Sequence, residues 1–434
     1  MAGFVQLLQT NRNYRYTWMG QVVSEVGDHF NTIAVFSLIL AQTNSGLAVA
    51  GVMLSRAIPM LLAGPLAGVS LDRFNRRQLM IGSDLVRALF AALFIFGVAP
   101  GRGWIIYLLS ALMMAASPFF TSGRASILPA IATKEELHTA NSMTQTTQWT
   151  TTAVGAFLGG FSATTLGYEI AFVINAVSFL FSAICIARLR VPEGAFVAKR
   201  SSNLNETKVV KPWHDYKEGL SYMRSIPLLA GLGLVSVGWA SGGGAAQILF
   251  PLFGERVFHR GAMGTGELWG SAGFGLVCGG VFAHRLMPRL SYTQYKRTIA
   301  LAYLVHGAAY VSFALAQPYW LALFMIALSR AAVAVSSVMN FTQILRIVDD
   351  AFRGRVFATL ETVTWGVMML SMTAAGLASD HVDTRWIGVA SGLLSSCTAF
   401  FWYWGDVTGR LPEPGATPHA DSPEDVELHG ESNV

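Results

Sequence analysis

The feature that most constrains this chain is a series of long apolar runs, about twelve of them, each near the length that crosses a bilayer. A spanning helix needs about 20 consecutive apolar residues. Such runs lie near 16–41, 47–71, 78–99, 104–124, 142–166, 168–188, 228–252, 264–284, 297–316, 319–342, 356–379 and 384–404. They are continuous rather than short and alternating, which excludes a closed β-barrel. Composition agrees: 53% of the 434 residues are hydrophobic and 13% charged, against about 25% charged in a soluble domain. The expectation is an all-α membrane protein with twelve transmembrane helices.

Loop charge sets the orientation, because Lys and Arg in short loops stay on the cytoplasmic side. With the N-terminus inside, the inner loops collect most of them, from Arg73, Arg76 and Arg77 to Arg353 and Arg355. The outer loops hold only Arg102, Arg256, Arg260 and Arg385. Both termini are therefore expected in the cytoplasm. The net charge of +5 follows from this topology, so the expected partner is the lipid bilayer and no nucleic acid. A polar stretch at 191–224 reads as a cytoplasmic linker between a six-helix half at 1–190 and a second at 225–405. Residues 406–434, acidic and proline-rich, read as a disordered cytoplasmic tail with too little apolar content to bury anything. The first residues, MAGFVQLLQTNRNYRY, are too polar for a signal peptide, so the first run is expected to stay. Cys185, Cys278 and Cys397 are far apart and lack metal or disulfide spacing. No metal and no cofactor are expected.

The halves echo each other. ILPAIATKEELHTANSM follows the fourth run and ILRIVDDAFRGRVFATL the tenth, while LDRFNRRQ follows the second and AHRLMPRLSYTQYKR the eighth. Parallel six-helix repeats are an architecture of secondary transporters, with the substrate site near the midplane between them.

The loop after the second run reads Gly68-Val-Ser-Leu-Asp72-Arg73-Phe-Asn75-Arg76-Arg77. Gly68 permits close helix approach, Asp72 can accept charge-assisted hydrogen bonds, and Arg73, Arg76 and Arg77 can clamp a neighbouring helix. Together they suit a latch that forms in one conformation and breaks in another; the plainer reading is that the arginines only set topology. This segment resembles the signature loop of the major facilitator superfamily, G-x-x-x-D-R-x-G-R-R, with Asn75 where the family usually has Gly; Asn tolerates left-handed backbone. Gly27-Asp28, Arg56-Ala-Ile-Pro59, Glu136-Leu-His-Thr-Ala-Asn141 and Arg353-Gly-Arg-Val-Phe357 extend the resemblance over about residues 15–405, toward the drug-efflux branch that includes macrolide and enterobactin exporters. The resemblance implies two six-helix parallel repeats in the major facilitator fold, alternating inward- and outward-open states, and a multi-pass protein of the bacterial inner membrane. Asp72 and the nearby arginines would stabilise the outward-facing state. Proton antiporters of the superfamily often carry a Gly-Pro pair in the fifth span. Here Gly155-Ala156-Phe-Leu-Gly159-Gly160 keeps the glycines and lacks the proline.

Glu25 and Asp28 share a face of the first span, three residues apart. A charged carboxylate inside the bilayer is costly, which suits either to carrying a proton or meeting a substrate cation. The alternative for Asp28 is a structural bond to a buried arginine. Arg56, Arg87 and Arg330 fall within spans. Arg56 could pair with Asp28, and Arg87 lies close enough to the cytoplasmic end to snorkel. Arg330, mid-way along the tenth span, could bind an anionic substrate group or pair with Glu361. In the seventh span, Trp239-Ala-Ser-Gly-Gly-Gly244 and Gln247 suit a bend beside the substrate cavity or tight helix packing. Met113-Met114 and Met368-Met369 could line the cavity or make ordinary helix contacts. His306 could change charge near neutral pH or serve as a hydrogen-bonded contact.

No P-loop and no catalytic motif is present, so the chain is not expected to be an enzyme. The leading expectation is a monomeric, proton-coupled exporter of amphipathic small molecules of drug, macrolide or siderophore type. Glu25, Asp28 and Arg56 would couple protons, and Trp239, Gln247 and Arg330 would line the substrate cavity. The alternative is a facilitator or importer of an anionic organic solute. A non-transporting scaffold or sensor would have no use for the latch.

Overall fold

A computed structural model describes residues 4–192, 196 and 212–413. In chain order the helices are α1 (Phe4–Thr10), α2 (Arg12–Thr43), α3 (Gly46–Arg73), α4 (Arg76–Leu93), α5 (Gly103–Ile131), α6 (Lys134–Thr165) and α7 (Tyr168–Ala187), then α8 (Pro212–Ser225), α9 (Pro227–Leu252), α10 (Gly261–Leu286), α11 (Tyr292–Leu315), α12 (Tyr319–Ile347), α13 (Asp350–Ala378) and α14 (Thr384–Val407). No strand occurs among the described residues. Each expected apolar run corresponds to one long helix. Eight of these, α3, α4, α5, α7, α9, α11, α12 and α13, are apolar enough to cross a membrane by composition alone. The polar face of α2 and the glycine-rich face of α10 are covered by other helices, which is how a less apolar segment can sit inside the bundle.

Local rules explain several helix ends. Thr133 and Glu136 form a capping box that starts α6, earlier than the apolar run suggests. Asn75 caps α4, its side chain accepting from the amides of Arg77 and Gln78 at 3.0 and 3.3 Å. Its φ of −66° is extended, so capping rather than left-handed backbone is what Asn75 supplies here. Asn44 does adopt the left-handed conformation, with φ 47°, and ends α2 before the turn into α3.

Two expectations about the ends of the halves need correction. Part of the linker expected at 191–224 is helix α8, which packs on α13: Tyr222 stacks on Phe352 with centroids 4.4 Å apart, and Arg355 donates to Glu218 at 3.1 Å. The tail expected from Asp406 begins as packed structure. Leu411 is buried against Trp402, and the Tyr292 hydroxyl donates to the carbonyl of Pro412 at 2.9 Å. One leucine suffices to dock a short segment on a groove between α11 and α14. The rest of the expected linker, 193–195 and 197–211, and of the tail, 414–434, lie outside the described residues.

The core reveals the shape. At the face opposite the Asp72–Arg77 loop, one continuous cluster joins Phe30, Phe94 and Phe172 of the first half to Phe250, Phe253 and Phe313 of the second. At the loop face each half has its own cluster. Tyr14, Met80, Phe120 and Ile127 belong to one, and Leu232, Tyr295, Met339 and Trp402 to the other. The halves are therefore pressed together at one end and parted at the other.

Small residues make the joint. A Cβ added to Gly266 of α10 would lie 2.5 Å from the Ala156 carbonyl oxygen of α6, and one on Gly273 would lie 2.9 Å from the Ala153 Cβ. On the other side, a Cβ on Gly376 of α13 would lie 2.8 Å from that of Ala50 on α3. Gly68 is eighteen positions beyond Ala50, which at 3.6 residues per turn returns it to the same face about 27 Å away. There nothing lies within 4 Å of it, nor of Gly354 on α13. The expectation that Gly68 approaches another helix is thus not met in this conformation, because α3 and α13 have diverged by that depth.

This geometry predicts a paired cross-linking result. In a background with Cys185, Cys278 and Cys397 changed to Ser, Ala50→Cys with Gly376→Cys should form a disulfide readily on mild oxidation, while Gly68→Cys with Gly354→Cys should not. Equal cross-linking of both pairs would contradict the divergence.

Candidate transport site and gates

The interior of the first half holds a set of charges. Glu25, near the middle of α2, accepts from Gln21 Nε2 and Thr151 Oγ1 at 2.9 Å each and from Arg124 Nη1 at 3.3 Å. Arg124 was expected at the edge of a span; α5 continues to Ile131 and carries it inside. One turn along α2, Asp28 has a fully buried Oδ1 without a hydrogen-bond partner. Arg87, then Arg56, Glu25 and Asp84, are the charges that act on it. The expected Asp28–Arg56 pair does not form. Arg56 Nη2 instead donates to Thr32 Oγ1 at 2.9 Å, and that hydroxyl donates to the Asp28 backbone carbonyl at 2.7 Å. Thr32, one turn beyond Asp28, occupies the space between them.

Arg87 does not snorkel. It is 3% exposed, ion-paired to Asp84, and its guanidinium carbon lies 4.3 and 4.9 Å from the ring centroids of Phe179 and Phe120. The interior of this half therefore balances Glu25, Asp28 and Asp84 against Arg56, Arg87 and Arg124. Gly155 and Gly159 of α6 bring the helix against His29 and Phe30 of α2, and Gly160 brings it against Gly266. The run that lacks the family's proline is thus a packing surface on both sides.

The second half is different. Arg330 is 8% exposed, and Glu361, its possible partner, is exposed elsewhere. Among the described residues Arg330 has no hydrogen bond or ion pair; it does meet the face of Phe250, at 5.4 Å. Gln247 is half-buried. Trp239 packs with Met368, Met372 and Met53 in a small cluster between α9, α13 and α3, its Nε1 without a partner. Met113 is ordinary core. His306 is a packed contact, its Nδ1 2.7 Å from Ser329 Oγ.

The glycine run of α9 packs tightly. Gly242 meets Ser391 and Ser395 of α14, and Gly244 meets Met368 and Ser371 of α13. Beside it the Ser371 hydroxyl donates to the Ser241 carbonyl at 2.5 Å and accepts from the Ala245 amide at 3.0 Å. Those two backbone groups are four apart and are partners in a regular helix. A side chain bridging them loosens α9 at this point.

At the loop face, Asp72 and Arg73 are exposed, and among the described residues neither makes a hydrogen bond or ion pair. Arg76 and Arg77 act within their own half. Arg76 donates to the Ser126 carbonyl at 3.0 Å, and Arg77 donates to the carbonyls of Ile186 and Ala187 at the C-terminus of α7. A cation there complements the helix dipole, so these two arginines tie α4 to its neighbours whatever the other half does.

At the opposite face the halves are bolted. Asp380, just past α13, accepts from Ser45 Oγ at 2.9 Å and the Gly46 amide at 3.2 Å, at the start of α3. It thereby helps cap a helix of the other half. Arg256 donates to the Ser379 carbonyl at 2.8 Å and to Asn44, and its guanidinium lies 3.7 Å from Asp380. Sequence reasoning missed this bolt, since its partners are 335 positions apart.

Comparison with known proteins agrees with this architecture. Residues 18–358 match a family model described as Major Facilitator Superfamily. The chain is 26% identical over 386 residues to an uncharacterized MFS-type transporter, YfiS, of Bacillus subtilis (strain 168), covering 86% of this chain and 87% of that one. It is 20% identical over 388 residues to macrolide efflux protein A of Streptococcus pyogenes, covering 88% and 93%. The fold is also that of the nucleoside transporter NupG: TM-score 0.67 at 11% identity, over 91% of this chain and 99% of that one.

Asp380→Ala should loosen the bolt. Loss of a cap costs about 1 kcal/mol, a shift of about fivefold between closed and open ends. A cysteine at Ala50, buried in the joint, should then react with a water-soluble maleimide about fivefold faster than in the parent; an unchanged rate would mean that the bolt does not hold the joint.

Proposed function

The chain belongs to the Major Facilitator Superfamily, and from that premise we propose a proton-coupled exporter of amphipathic small molecules. It is a multi-pass membrane transporter. In this reading it works by alternating access as a monomer in a bacterial inner membrane. The Asp72–Arg77 loop and both termini face the cytoplasm, as the basic loops favour. The conformation described above is then the inward-open one. In the outward-open state Gly68, Asp72 and Arg73 would close on the second half, while Arg76 and Arg77 hold their own half rigid.

The observation that carries the proposal is Asp28. It lies near the middle of α2, has one buried oxygen without a hydrogen-bond partner, and sits among Arg56, Arg87 and two further carboxylates. Protonation would remove an unsatisfied charge from the bilayer interior and turn the carboxylate into a hydrogen-bond donor. Glu25, held by Arg124, Thr151 and Gln21, is the fixed member of the pair; Arg87 and Arg56 set the field at Asp28, with Arg56 held in place by Thr32. Substrate would enter between the parted ends, beside Trp239, Gln247 and Arg330. The Streptococcus pyogenes relative is named for efflux, which supports the outward direction. The other reading, a facilitator or importer of an anionic organic solute, draws on Arg330, which has no acidic partner among the described residues.

The test is transport in proteoliposomes under an imposed pH gradient, with dyes, macrolides and siderophores as substrates. The parent should accumulate a substrate against its gradient. Asp28→Asn should abolish that accumulation while leaving exchange at equal concentrations. Accumulation indifferent to both the gradient and the substitution would overturn proton coupling.

A further inference from the structure

We infer that the cavity between α8, α9 and α13 binds an anionic phospholipid, with an acyl chain inside the cavity and the headgroup phosphate on Arg224. The site stands apart from the transport reading; only the choice of leaflet is taken from the orientation proposed above.

The sequence makes the room. Ala230, Gly233, Leu234 and Val237 fall on one face of α9 at helical spacing, and the first two carry little or no side chain. Opposite them stand Leu360 and Val363 of α13, and α8 closes the end with Leu220 and Met223. The result is a cavity of about 260 Å³. It follows α9 from Ala230 to Val237, roughly 10 Å at 1.5 Å per residue. Thr359 also lines it but is 1% exposed, so it offers a ligand little. Leu234 is 51% exposed, so the slot is open to the surroundings of the bundle.

One charge borders these apolar walls. Arg224, in the last turn of α8, lines the cavity and is exposed. Among the described residues it makes no hydrogen bond or ion pair. Nearby carboxylates are otherwise engaged or turned away. Glu218 is taken by Arg355 at 3.1 Å, and 3.6 residues per turn carries Glu361 to the far side of α13 from Thr359 and Val363. A cation without a counter-charge therefore stands beside an apolar slot.

Depth identifies what fits both. The apolar span of α9 begins at Pro227, so Arg224 stands three positions before it, at headgroup level, while the walls lie inside the hydrocarbon. Met223 belongs to the loop-face core of the second half, the face that basic loops place in the cytoplasm. That leaflet carries the anionic lipids, and basic pockets between spanning helices there take their headgroups. Water finds few polar partners along such walls. An acyl chain is the apolar species already present at this depth, and a phosphate is the acceptor that a guanidinium fork takes. A peptide would have to leave water to reach the same walls.

The test reconstitutes the full-length protein in phosphatidylcholine vesicles doped with phosphatidylglycerol that carries a photoreactive diazirine on its acyl chain. A matched set carries the diazirine on phosphatidylcholine instead. After illumination, labelled peptides are read by mass spectrometry. In the parent, peptides covering 220–237 and 359–363 should be labelled about fivefold more by phosphatidylglycerol, the step that one arginine contributes at an anionic surface. Arg224→Gln should fall to the phosphatidylcholine level, and Arg224→Lys should keep most of the preference. Arg224 has no protein partner to lose, so both variants should fold as the parent does. Val237→Trp should fill the slot and cut labelling by both lipids. The readout involves no transport, so a failure of proton coupling leaves it intact. Equal labelling by the two lipids in the parent, or a preference that survives Arg224→Gln, would overturn the site.

Discussion

Charge inside a bilayer is the constraint on which the rest of this structure depends. Water is absent, so a buried ion must be met by another ion, by dipoles, or by something that arrives from outside. The first half solves this internally. Glu25 is met by Arg124, and Asp84 by Arg87 between two rings. Asp28 is left with a buried oxygen that has no hydrogen-bond partner, in the field of Arg87 and Arg56. Among the described residues the second half leaves one buried cation, Arg330, without an ion pair. One half is thus internally neutral and the other is not, a difference of electrostatics laid over two copies of the same six-helix plan.

That plan keeps the charged groups near the depth where the halves part. The shared aromatic core at one face and the two separate cores at the other fix a wedge-shaped division between them. Asp28 and Glu25 belong to α2, and Trp239 and Gln247 to α9, so both halves contribute to the same level. The bolt at Asp380 and Arg256 ties the closed face by polar groups that water could replace were the face to open, as the proposed cycle requires. The serine bridge in α9 offers a point where the second half can flex without breaking a helix.

Much of the fold was legible in the sequence, because a span of about 20 apolar residues has only one stable form in lipid. Eight of the twelve long helices follow from that alone; α2, α6, α10 and α14 are less apolar and are covered by their neighbours. The short helices were not, since α1 and α8 are amphipathic segments whose order comes from docking on α2 and α13. Within the charged set, Glu25, Asp28 and Arg56 were visible as polar residues out of place. Arg124 was not, because its helix runs seven residues past the apolar stretch, and Thr151 is one hydroxyl among many in α6. Asn75 is readable as a helix cap from its position before Arg76, but its place in a motif draws attention to backbone freedom instead. Spacing locates Arg76 and Arg77, but their acceptors, carbonyls of α5 and α7, lie 50 and 109 positions away and are set by tertiary packing.

The joint between α6 and α10 has an evolutionary consequence. Ala153, Ala156, Gly160, Gly266 and Gly273 meet almost backbone to backbone, so a tilt of the halves in the proposed cycle would have few side chains to repack and no rotamers to exchange. A single added methyl group there acts as a shim under one conformation and not the other. If the chain works by alternating access as proposed, exchanging Gly, Ala and Ser at the joint would retune how long it dwells facing each side of the membrane without touching the proposed substrate cavity. Turnover and specificity can drift independently.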